Sequence, residues 1–590
     1  MTARYRVRPA CVHEHLFEVE CRFELPAATP AAGPVDLWMP AWTPGSYLVR
    51  EYARHVQDFE AFDAEGAPLR FERLDKATWR IHAQGKAQLH VRYRVYAFDL
   101  TVRTNHLEGS HGYFNGAAMF VTGDALRARP CSLELSLPEG WRAHCALPAS
   151  ADGVFQARDF DELIDSPVEM GPLPSLTFTA AGKPHEVAIW GEGNFDPAGL
   201  TADLQKICEA EAKLFGGLPL ERYLFIVLLT DKGRGGLEHA ASCTLLLPRT
   251  GFRPKKSYEE FLSLSAHEYF HLWNVKRIKP RALVPFDYQR ENYTTLLWAM
   301  EGVTSYYDAL VLRRAGLFDA PRYLAKLGEV VTIVESQPGR RATSLAEASR
   351  LAWIKHYRPD ENTPNSGISY YSKGEVVAAL LDLTLRKATG GQRSLDDLMR
   401  LLFNLYGDGS GVPEDGVEKA ASDVAGTDLA AFFDRAIRST EELDYSPFAA
   451  AGLVLRRRPK RNVSDRGGTP VDGGDDGPVR PWLGVDLRAG DRAVVATAFT
   501  GSPAAKAGLY ADDEILALDG LRVTASTLHE RIDERAVGET ARLTLFRRDQ
   551  LLHLDVVLEA RPATACWLEK LPDATPEQKA LYEAWLGEKF

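Results

Sequence analysis

Two histidines four positions apart form the strongest chemical signal in the chain. They enclose the stretch HEYFH, residues 267–271. On a helix this spacing puts His267 and His271 one turn apart on the same face, so both imidazoles can bind one Zn²⁺. Glu268 then lies beside the metal and can take a proton from an attacking water. The pattern therefore predicts a zinc-dependent hydrolytic site with Glu268 as general base.

A catalytic zinc site needs a third protein ligand besides its open position for water. Two glutamates on the following predicted helical stretch, Glu291 and Glu301, are candidates. Glu301 stands among apolar residues and is expected in the core, where a carboxylate without a partner is costly. Glu291 stands at the charged start of the stretch and is more easily explained as solvated. We therefore predict Glu301 as the third ligand, with Glu291 as the alternative.

Hydrophobic periodicity predicts the elements that position these residues. From Tyr5 to about Trp190 apolar and polar residues alternate between turns, which indicates antiparallel sheets. Helical spacing from Pro197 to Phe215 is followed by an apolar strand, Tyr223 to Leu229. From Ser257 to about Ile437 nearly every segment has the pattern of a helix. Ser257 begins an S-x-x-E capping box that predicts the start of the zinc helix.

The composition excludes several classes of protein. A chain of 590 residues is too long for one core and implies several domains. Its net charge of −11 argues against nucleic-acid binding, which needs a basic face. We see neither a secretory signal nor a stretch of about 20 apolar residues, so we expect no membrane association and a cytoplasmic location. The seven cysteines form no C-x-x-C pair, so no thiolate metal cluster is predicted.

A second motif, Gly235-Gly236-Leu237-Glu238-His239, stands upstream of the zinc helix. It resembles the Gly-x-Met-Glu-Asn motif of gluzincin aminopeptidases, with Leu and His where that family has Met and Asn. The resemblance implies that Glu238 binds the α-amine of the substrate, with Gly235 and Gly236 beside it. A carboxylate on a strand edge can pair with the substrate's α-ammonium group. The first peptide bond of the substrate then lies at the position where it is cleaved.

A third motif, Tyr371-Ser372-Lys373-Gly374, stands at the start of a predicted helix. It resembles the Tyr-x-Lys-Gly motif of the same enzymes, in which the tyrosine stabilises the oxyanion. A phenol suits that role because it is a neutral donor at pH 7. The resemblance implies Tyr371 as the donor, and Tyr370 beside it is the alternative.

Taken together, these pieces resemble the glycyl aminopeptidase family of metallopeptidases, M61, along nearly the whole chain. The segments that resemble its signatures are MPAWTPGSYLVREYARHV (39–56), DSPVEMG (165–171), HEYFHLWNVKR (267–277) and LLWAMEGVTSYY (296–307). The resemblance implies a thermolysin-like, mostly helical catalytic domain, one zinc per chain, and a preference for peptides that begin with glycine or alanine.

The C-terminal region resembles a PDZ domain, which this family often carries. The matching segments are WLGV (482–485), SPAAKAGL (502–509) and DDEILALDG (512–520). In a PDZ domain the first of these loops binds a peptide's C-terminal carboxylate. Here that loop is Trp482, Leu483, Gly484 and Val485. The sequence leaves open whether it binds peptide C-termini or only packs against the catalytic domain.

The predicted fold class is therefore multidomain α+β. The expected parts are an antiparallel β domain (1–190), a zinc peptidase domain (191–455), a flexible linker rich in charge, Gly and Pro (456–480), a PDZ-like domain (481–560) and a helical tail (561–590). The tail helix is predicted from Thr575 as N-cap, Pro576 and Gln578.

The predicted function is a zinc aminopeptidase that acts on peptides with a free N-terminus. Two alternatives remain. A zinc endopeptidase would use the same zinc chemistry but would not need Glu238. A non-catalytic scaffold that binds peptides through its PDZ domain would not need His267, Glu268, His271 and Glu301 together.

Overall fold

The computed structural model describes residues 3–25, 33–83, 85–470 and 479–590. It divides into two compact units. The first comprises Met1–Asn292 and Phe403–Gly411, and the second comprises Tyr293–Leu402 and Val412–Phe590. Among the described residues, no helix combines the length and the apolar character that a bilayer-spanning segment requires.

The first unit begins with three sheets that form the predicted β domain. Alternation decides which side chains are buried: Phe17, Val19 and Phe23 face the core, whereas Arg22 between them is exposed. The six-stranded sheet has the order Phe155–Ala157, Cys131–Leu135, Ala3–Cys11, Leu16–Glu24, Gln88–Tyr96, Val56–Phe62. The four-stranded sheet has the order Arg142–Cys145, Val168–Gly171, His111–Phe114, His106–Glu108, and the three-stranded sheet Val35–Trp38, Thr78–Ile81, Phe71–Arg73.

A fourth sheet of the first unit carries the candidate active site. Its five strands have the order Ser175–Ala180, Lys183–Trp190, Tyr223–Thr230, Ser242–Pro248, Gly235–Glu238. The first two were assigned by sequence to the β domain, but Lys183–Trp190 pairs in parallel with Tyr223–Thr230. The β domain therefore ends before Ser175. Alternation shows that a segment is a strand but does not show which sheet it joins.

Two helices pack with this sheet. Helix Pro197–Phe215 has the bounds that its helical spacing predicts, with Asp196 as N-cap and Gly216 at its C-terminal end. The zinc helix is Lys255–Phe270, and it begins two residues before the predicted capping box, with Pro254 as an N-cap that makes no side-chain bond. Ser257 is thus the third helical residue, a position at which an S-x-x-E string has no capping role.

The region after residue 292 is mostly helical, as predicted. Its π-helical turns are Trp298–Gly302 and Asp434–Arg438. Its α-helices are Val303–Arg314, Ala320–Ser336, Leu345–Arg350, Thr363–Ser366, Ser372–Ala388, Leu395–Tyr406, Gly416–Ala425 and Ala430–Phe433.

The predicted linker is partly built into the second unit. Strand Leu453–Arg458 pairs with Ala565–Lys570, and the Arg458 guanidinium is buried against the Asp465 carboxylate. Further along, the Gly468 amide donates to the Cys566 carbonyl at 2.7 Å. This ordered structure was not predicted from the sequence, because main-chain pairing needs no apolar side chains. The linker residues 471–478 lie outside the described part of the chain.

The C-terminal part contains the PDZ domain and the tail helix. Helix Pro576–Leu586 begins with the Thr575–Gln578 capping box that the sequence predicts. The PDZ strands are Pro481–Trp482, Val485–Leu487, Ala493–Ala498, Glu514–Leu518, Leu521–Arg522, Thr540–Arg547, Gln550–Val557 and Glu559–Ala560, with helices Pro503–Lys506 and Leu528–Asp533. The fold class is confirmed: a β domain, a mostly helical middle region and a C-terminal PDZ domain.

Candidate active site

The zinc helix presents the two predicted histidines together. His267 lies in its last turn and His271 caps its C-terminal end, with their ring centroids 4.7 Å apart. The opposite face of the helix is anchored in the core, where the Tyr269 ring stacks on Phe225 and its hydroxyl contacts His185 Nε2 at 2.8 Å. This packing fixes the rotation of the helix and therefore the direction in which the two imidazoles point.

A main-chain contact orients the His271 ring. Its Nδ1 lies 2.6 Å from the Asn274 carbonyl oxygen, which requires the proton on Nδ1. The other ring nitrogen, Nε2, then carries the lone pair that a metal needs. Metal-binding histidines commonly have such a partner. His271 is buried, whereas His267 is half-buried.

The edge strand Gly235–Glu238 lies directly beside the zinc helix. Its Gly236 contacts Glu268 so closely that a Cβ atom there would lie 2.8 Å from Glu268 Cγ and nearer still to the carboxylate. A side chain at this point would displace the Glu268 carboxylate. The strand pairs with Ser242–Pro248 on one side and is the outermost strand of its sheet. Glycine at position 236 thus lets the Glu268 side chain lie against the strand edge.

Glu238, at the end of this strand, lies in the same cluster. Glu238 and Glu268 each offer a carboxylate oxygen, and His271 offers a ring nitrogen. These three atoms lie within 4.8 Å of one another. Glu238 is only 3% exposed, and among the described residues its Oε1 has no hydrogen-bond partner. A buried carboxylate oxygen in that state can accept a bond from a cationic ligand such as an ammonium group.

Asp165 of the β domain anchors the chain just after Glu238. Its Oδ1 accepts from His239 Nδ1 at 3.0 Å and from Lys276 Nζ at 2.7 Å, and its Oδ2 accepts from the Ala240 amide at 3.0 Å. Burial alone would raise the pKa of Asp165, but Lys276 and His239 outweigh it and lower the pKa below its usual value. One carboxylate therefore ties the end of the edge strand to the segment that follows the zinc helix.

The second unit carries the predicted third ligand. Glu301 is 1% exposed and lies in the π-helical turn Trp298–Gly302, a distortion that is frequent at functional sites. Gly302 approaches Gly374 so closely that a Cβ there would lie 2.6 Å from the Gly374 carbonyl carbon. This contact joins the turn to helix Ser372–Ala388. Glu291, the alternative ligand, is partly exposed and lies outside any helix, contrary to the helical stretch predicted there.

The predicted oxyanion donor lies near Glu301 in the same unit. Burial, reinforced by the negative charge of Glu301, raises the pKa of Tyr371 well above its usual value, so its hydroxyl stays protonated. The Tyr370 ring lies 4.7 Å from that of Tyr371. Within the motif, burial also lowers the pKa of Lys373 to about 8.

Several residues beside Tyr371 and Glu238 were not predicted from the sequence to have a role in the site. The His356 ring lies 5.4 Å from that of Tyr371, and nothing in the surrounding sequence marks it. Gly45 of the β domain touches the Glu238 carboxylate. Gly45 and Asp165 both lie in the segments quoted for the family resemblance, but a sequence match does not show which residue of a segment faces the site.

Three sequence profiles match the chain. They are the Peptidase M61 N-terminal domain over residues 4–172, the M61 glycyl aminopeptidase over 260–377 and the PDZ domain over 481–558. A crystal structure of an aminopeptidase N family protein from Idiomarina loihiensis is 32% identical, with a TM-score of 0.92. The match covers 99% of this chain and 100% of that one.

The chain belongs to the M61 peptidase family. Membership confirms the predicted family, the predicted enzyme class of peptidase, and the attached PDZ domain. No curated protein sequence matches the chain significantly. A crystal structure of an M1 zinc metallopeptidase from Deinococcus radiodurans is 15% identical with a TM-score of 0.48, and the match covers 76% of this chain and 94% of that one.

The Asp165 anchor predicts a specific pH dependence. Because its folded pKa is lowered, its contribution to stability is present above the unfolded carboxyl pKa of about 4 and is lost as the pH falls below it. Asp165→Asn leaves the Lys276 ammonium buried without a counter-charge, which costs about 3 kcal/mol or more at pH 7. The thermal midpoint of the variant should therefore be lower at pH 7, with a gap to the parent protein that narrows towards pH 3.

The matched control is Glu134→Gln, which removes the charge from a half-exposed ion pair with Arg6 in the same domain. It should change the midpoint little, since exposed pairs contribute at most about 1 kcal/mol. A gap for Asp165→Asn that stays constant down to pH 3 would show that folding does not lower the pKa of this carboxyl group.

Proposed function

We propose that this M61 peptidase is a zinc aminopeptidase that removes N-terminal residues from peptides. The observation that carries the proposal is the buried cluster of Glu238, Glu268 and His271, whose ligand-type atoms lie within 4.8 Å of one another. It puts an acceptor for a substrate ammonium beside the general base and a metal-binding imidazole. An endopeptidase has no use for such an acceptor.

The donor set fits zinc. His267 and His271 offer imidazole nitrogens at the spacing of a two-histidine helix, and the His271 tautomer leaves Nε2 available. We propose that these two and Glu301 hold one zinc ion per chain. The burial of Glu301 at 1% exposure supports its assignment, because buried carboxylates are usually paired or bound to a metal. When bound, zinc supplies Lewis-acid activation of water and of the substrate carbonyl.

Three side chains of the protein carry out the remaining steps. Glu268 takes a proton from the attacking water and returns it to the leaving amine. The Tyr371 hydroxyl donates to the carbonyl oxygen as negative charge develops there, a role that its raised pKa supports. Glu238 accepts the substrate's α-ammonium group, so that the bond cleaved is the first one of the peptide.

We propose that the enzyme prefers peptides that begin with glycine or alanine. The profile that matches residues 260–377 is that of glycyl aminopeptidases, which supports a preference for N-terminal glycine or alanine. Gly235 and Gly236 line the approach to Glu238 along the edge strand. At position 236 the space that a side chain would need is taken by the Glu268 carboxylate, so glycine there lets the proposed general base lie beside the strand.

A second binding function is supported at the PDZ domain. Strand Val485–Leu487 lies at the edge of its sheet and pairs only with Ala493–Ala498 among the described strands. Beside it lies a groove of about 510 Å³, lined by PDZ residues such as Trp482 and Phe499 and also by residues of the helical region such as Ile333 and Arg340. We propose that an extended peptide adds to this strand with its C-terminal carboxylate at the loop Trp482–Val485.

The first prediction for the proposed function concerns the general base. Glu268→Gln should lower kcat for glycyl- and alanyl-p-nitroanilide at least about 100-fold, because the amide cannot take the proton from water. Its zinc content, measured by atomic absorption, should remain that of the parent protein. Glu260→Gln, two turns earlier on the same helix, should change neither value. A chelator should abolish hydrolysis by the parent protein, and full activity of the chelated protein would rule out a metallopeptidase.

The second prediction separates an aminopeptidase from an endopeptidase. Glu238→Ala should lower kcat/KM on free-amine peptides roughly 10- to 100-fold, the range expected for loss of a charged hydrogen bond. Activity on N-acetylated versions of the same peptides should not fall. Equal losses on both sets would remove Glu238 from amine recognition and favour the endopeptidase.

The third prediction concerns the PDZ groove. Fluorescence polarisation with the full chain should show binding of peptides with a free C-terminal carboxylate, and at least about tenfold weaker binding of their C-terminal amides. Gly484→Ala should abolish binding, because a Cβ there would lie 2.8 Å from Ser502 Oγ. The control is Gly538→Ala in the same domain, where φ is similar and no atom lies within 4 Å. Equal affinity for acids and amides would indicate a packing role only.

A further inference from the structure

We infer that the N-terminal β domain completes the amine-binding subsite, with Gly45 as the residue that positions the Glu238 carboxylate. The contact lies within the first unit, between a turn of the β domain and the end of the edge strand. The inference rests on the amine-binding role proposed for Glu238. It gives the β domain a direct part in the choice between free and blocked N-termini.

The turn Thr43–Ser46 has the sequence Thr-Pro-Gly-Ser. The Ser46 amide donates to the Thr43 carbonyl at 3.2 Å, which closes a four-residue β-turn. Proline in the second position and glycine at φ +86° in the third are the residues that a type II turn favours. The local sequence therefore specifies the shape of this turn independently of what it touches.

The Cα of Gly45 lies directly against the carboxylate of Glu238. A Cβ atom at position 45 would lie 2.7 Å from Glu238 Cδ and closer still to both carboxylate oxygens. No real Cβ atom makes such contacts, so any other residue at position 45 would displace the carboxylate or the turn. The turn requires glycine for its dihedral angle, and the carboxylate requires glycine for space.

The turn is held too firmly to give way. Its neighbours Trp42 and Tyr47 are both fully buried, and the Trp42 indole donates to the Asp287 carbonyl at 2.9 Å. On the other side, Arg50 donates to the Ser46 hydroxyl at 2.9 Å. A side chain added at position 45 would therefore move Glu238 rather than the turn.

The strand that carries Glu238 is also anchored. The Asp165 carboxylate holds His239 and the Ala240 amide, the two residues that follow Glu238. With the main chain fixed, only the side-chain torsions of Glu238 can respond to pressure from position 45. The Gly45 surface thus limits where this carboxylate can lie, and its observed place is in the cluster with Glu268 and His271.

A matched pair of variants tests the inference. Gly45→Ala should raise KM for free-amine substrates at least about tenfold, because a misplaced carboxylate no longer meets the ammonium group. Activity on N-acetylated peptides and zinc content should stay unchanged. The control is Gly140→Ala, which alters the third position of another β-turn in the same domain, with φ +80° and no atom within 4 Å. It carries the same backbone strain and should leave KM unchanged.

A double variant separates a contact with Glu238 from a general loss of structure. In a Glu238→Ala background no carboxylate remains to be displaced, so adding Gly45→Ala should change kcat/KM less than about twofold. The thermal midpoint offers a second measurement if Gly45→Ala alone folds poorly. The double variant should then recover part of the lost midpoint, because the clash is gone.

The outcomes distinguish the two proposals. If Glu238→Ala leaves free-amine hydrolysis intact, the amine-binding role fails and the Gly45 inference fails with it. If Glu238→Ala weakens that hydrolysis but Gly45→Ala behaves like Gly140→Ala, only the positioning role is overturned. Equal effects of Gly45→Ala in the parent and Glu238→Ala backgrounds would also overturn it.

Discussion

The burial of negative charge is the constraint on which the rest of this structure depends. Glu238 and Glu268 lie at the same point of the first unit, each less than 6% exposed and each against the backbone of a glycine. Removing a carboxylate from water is costly unless a cation or several donors replace the water. The proposed ligands, a zinc ion and a substrate ammonium, are both cations. The electrostatics of the resting site therefore favour the species that the proposed reaction requires.

The β domain contributes to the site through backbone shape and through one buried carboxylate. The Thr43–Ser46 turn approaches Glu238 from one side, and Asp165 holds the residues after it. Such a site requires rigid supports, because a displacement of a catalytic group by about 1 Å lowers the reaction rate strongly. Both supports come from a domain that holds neither Glu268 nor the two histidines.

Much of the arrangement was predictable from local patterns. Histidine spacing, the helical period from Pro197 to Phe215, the Thr575 cap and the apolar strand at Tyr223 each depend on neighbours within a few residues. The structure confirms the elements they predict. The prediction of a flexible linker at residues 456–480 did not foresee its ordered part. Composition alone cannot show that the strand Leu453–Arg458 finds its partner more than a hundred residues later.

The sequence by itself therefore determined the residue types of the chemistry, the family, and the order of the domains. Only the tertiary structure decided which sheet Lys183–Trp190 joins, that Gly45 touches the Glu238 carboxylate, and that Asp165 bridges His239 and Lys276. Sequence spacing reports neighbours along a helix or strand, where geometry follows from the repeat. Contacts between residues about 40 to 190 positions apart depend on how whole elements pack, which no local repeat encodes.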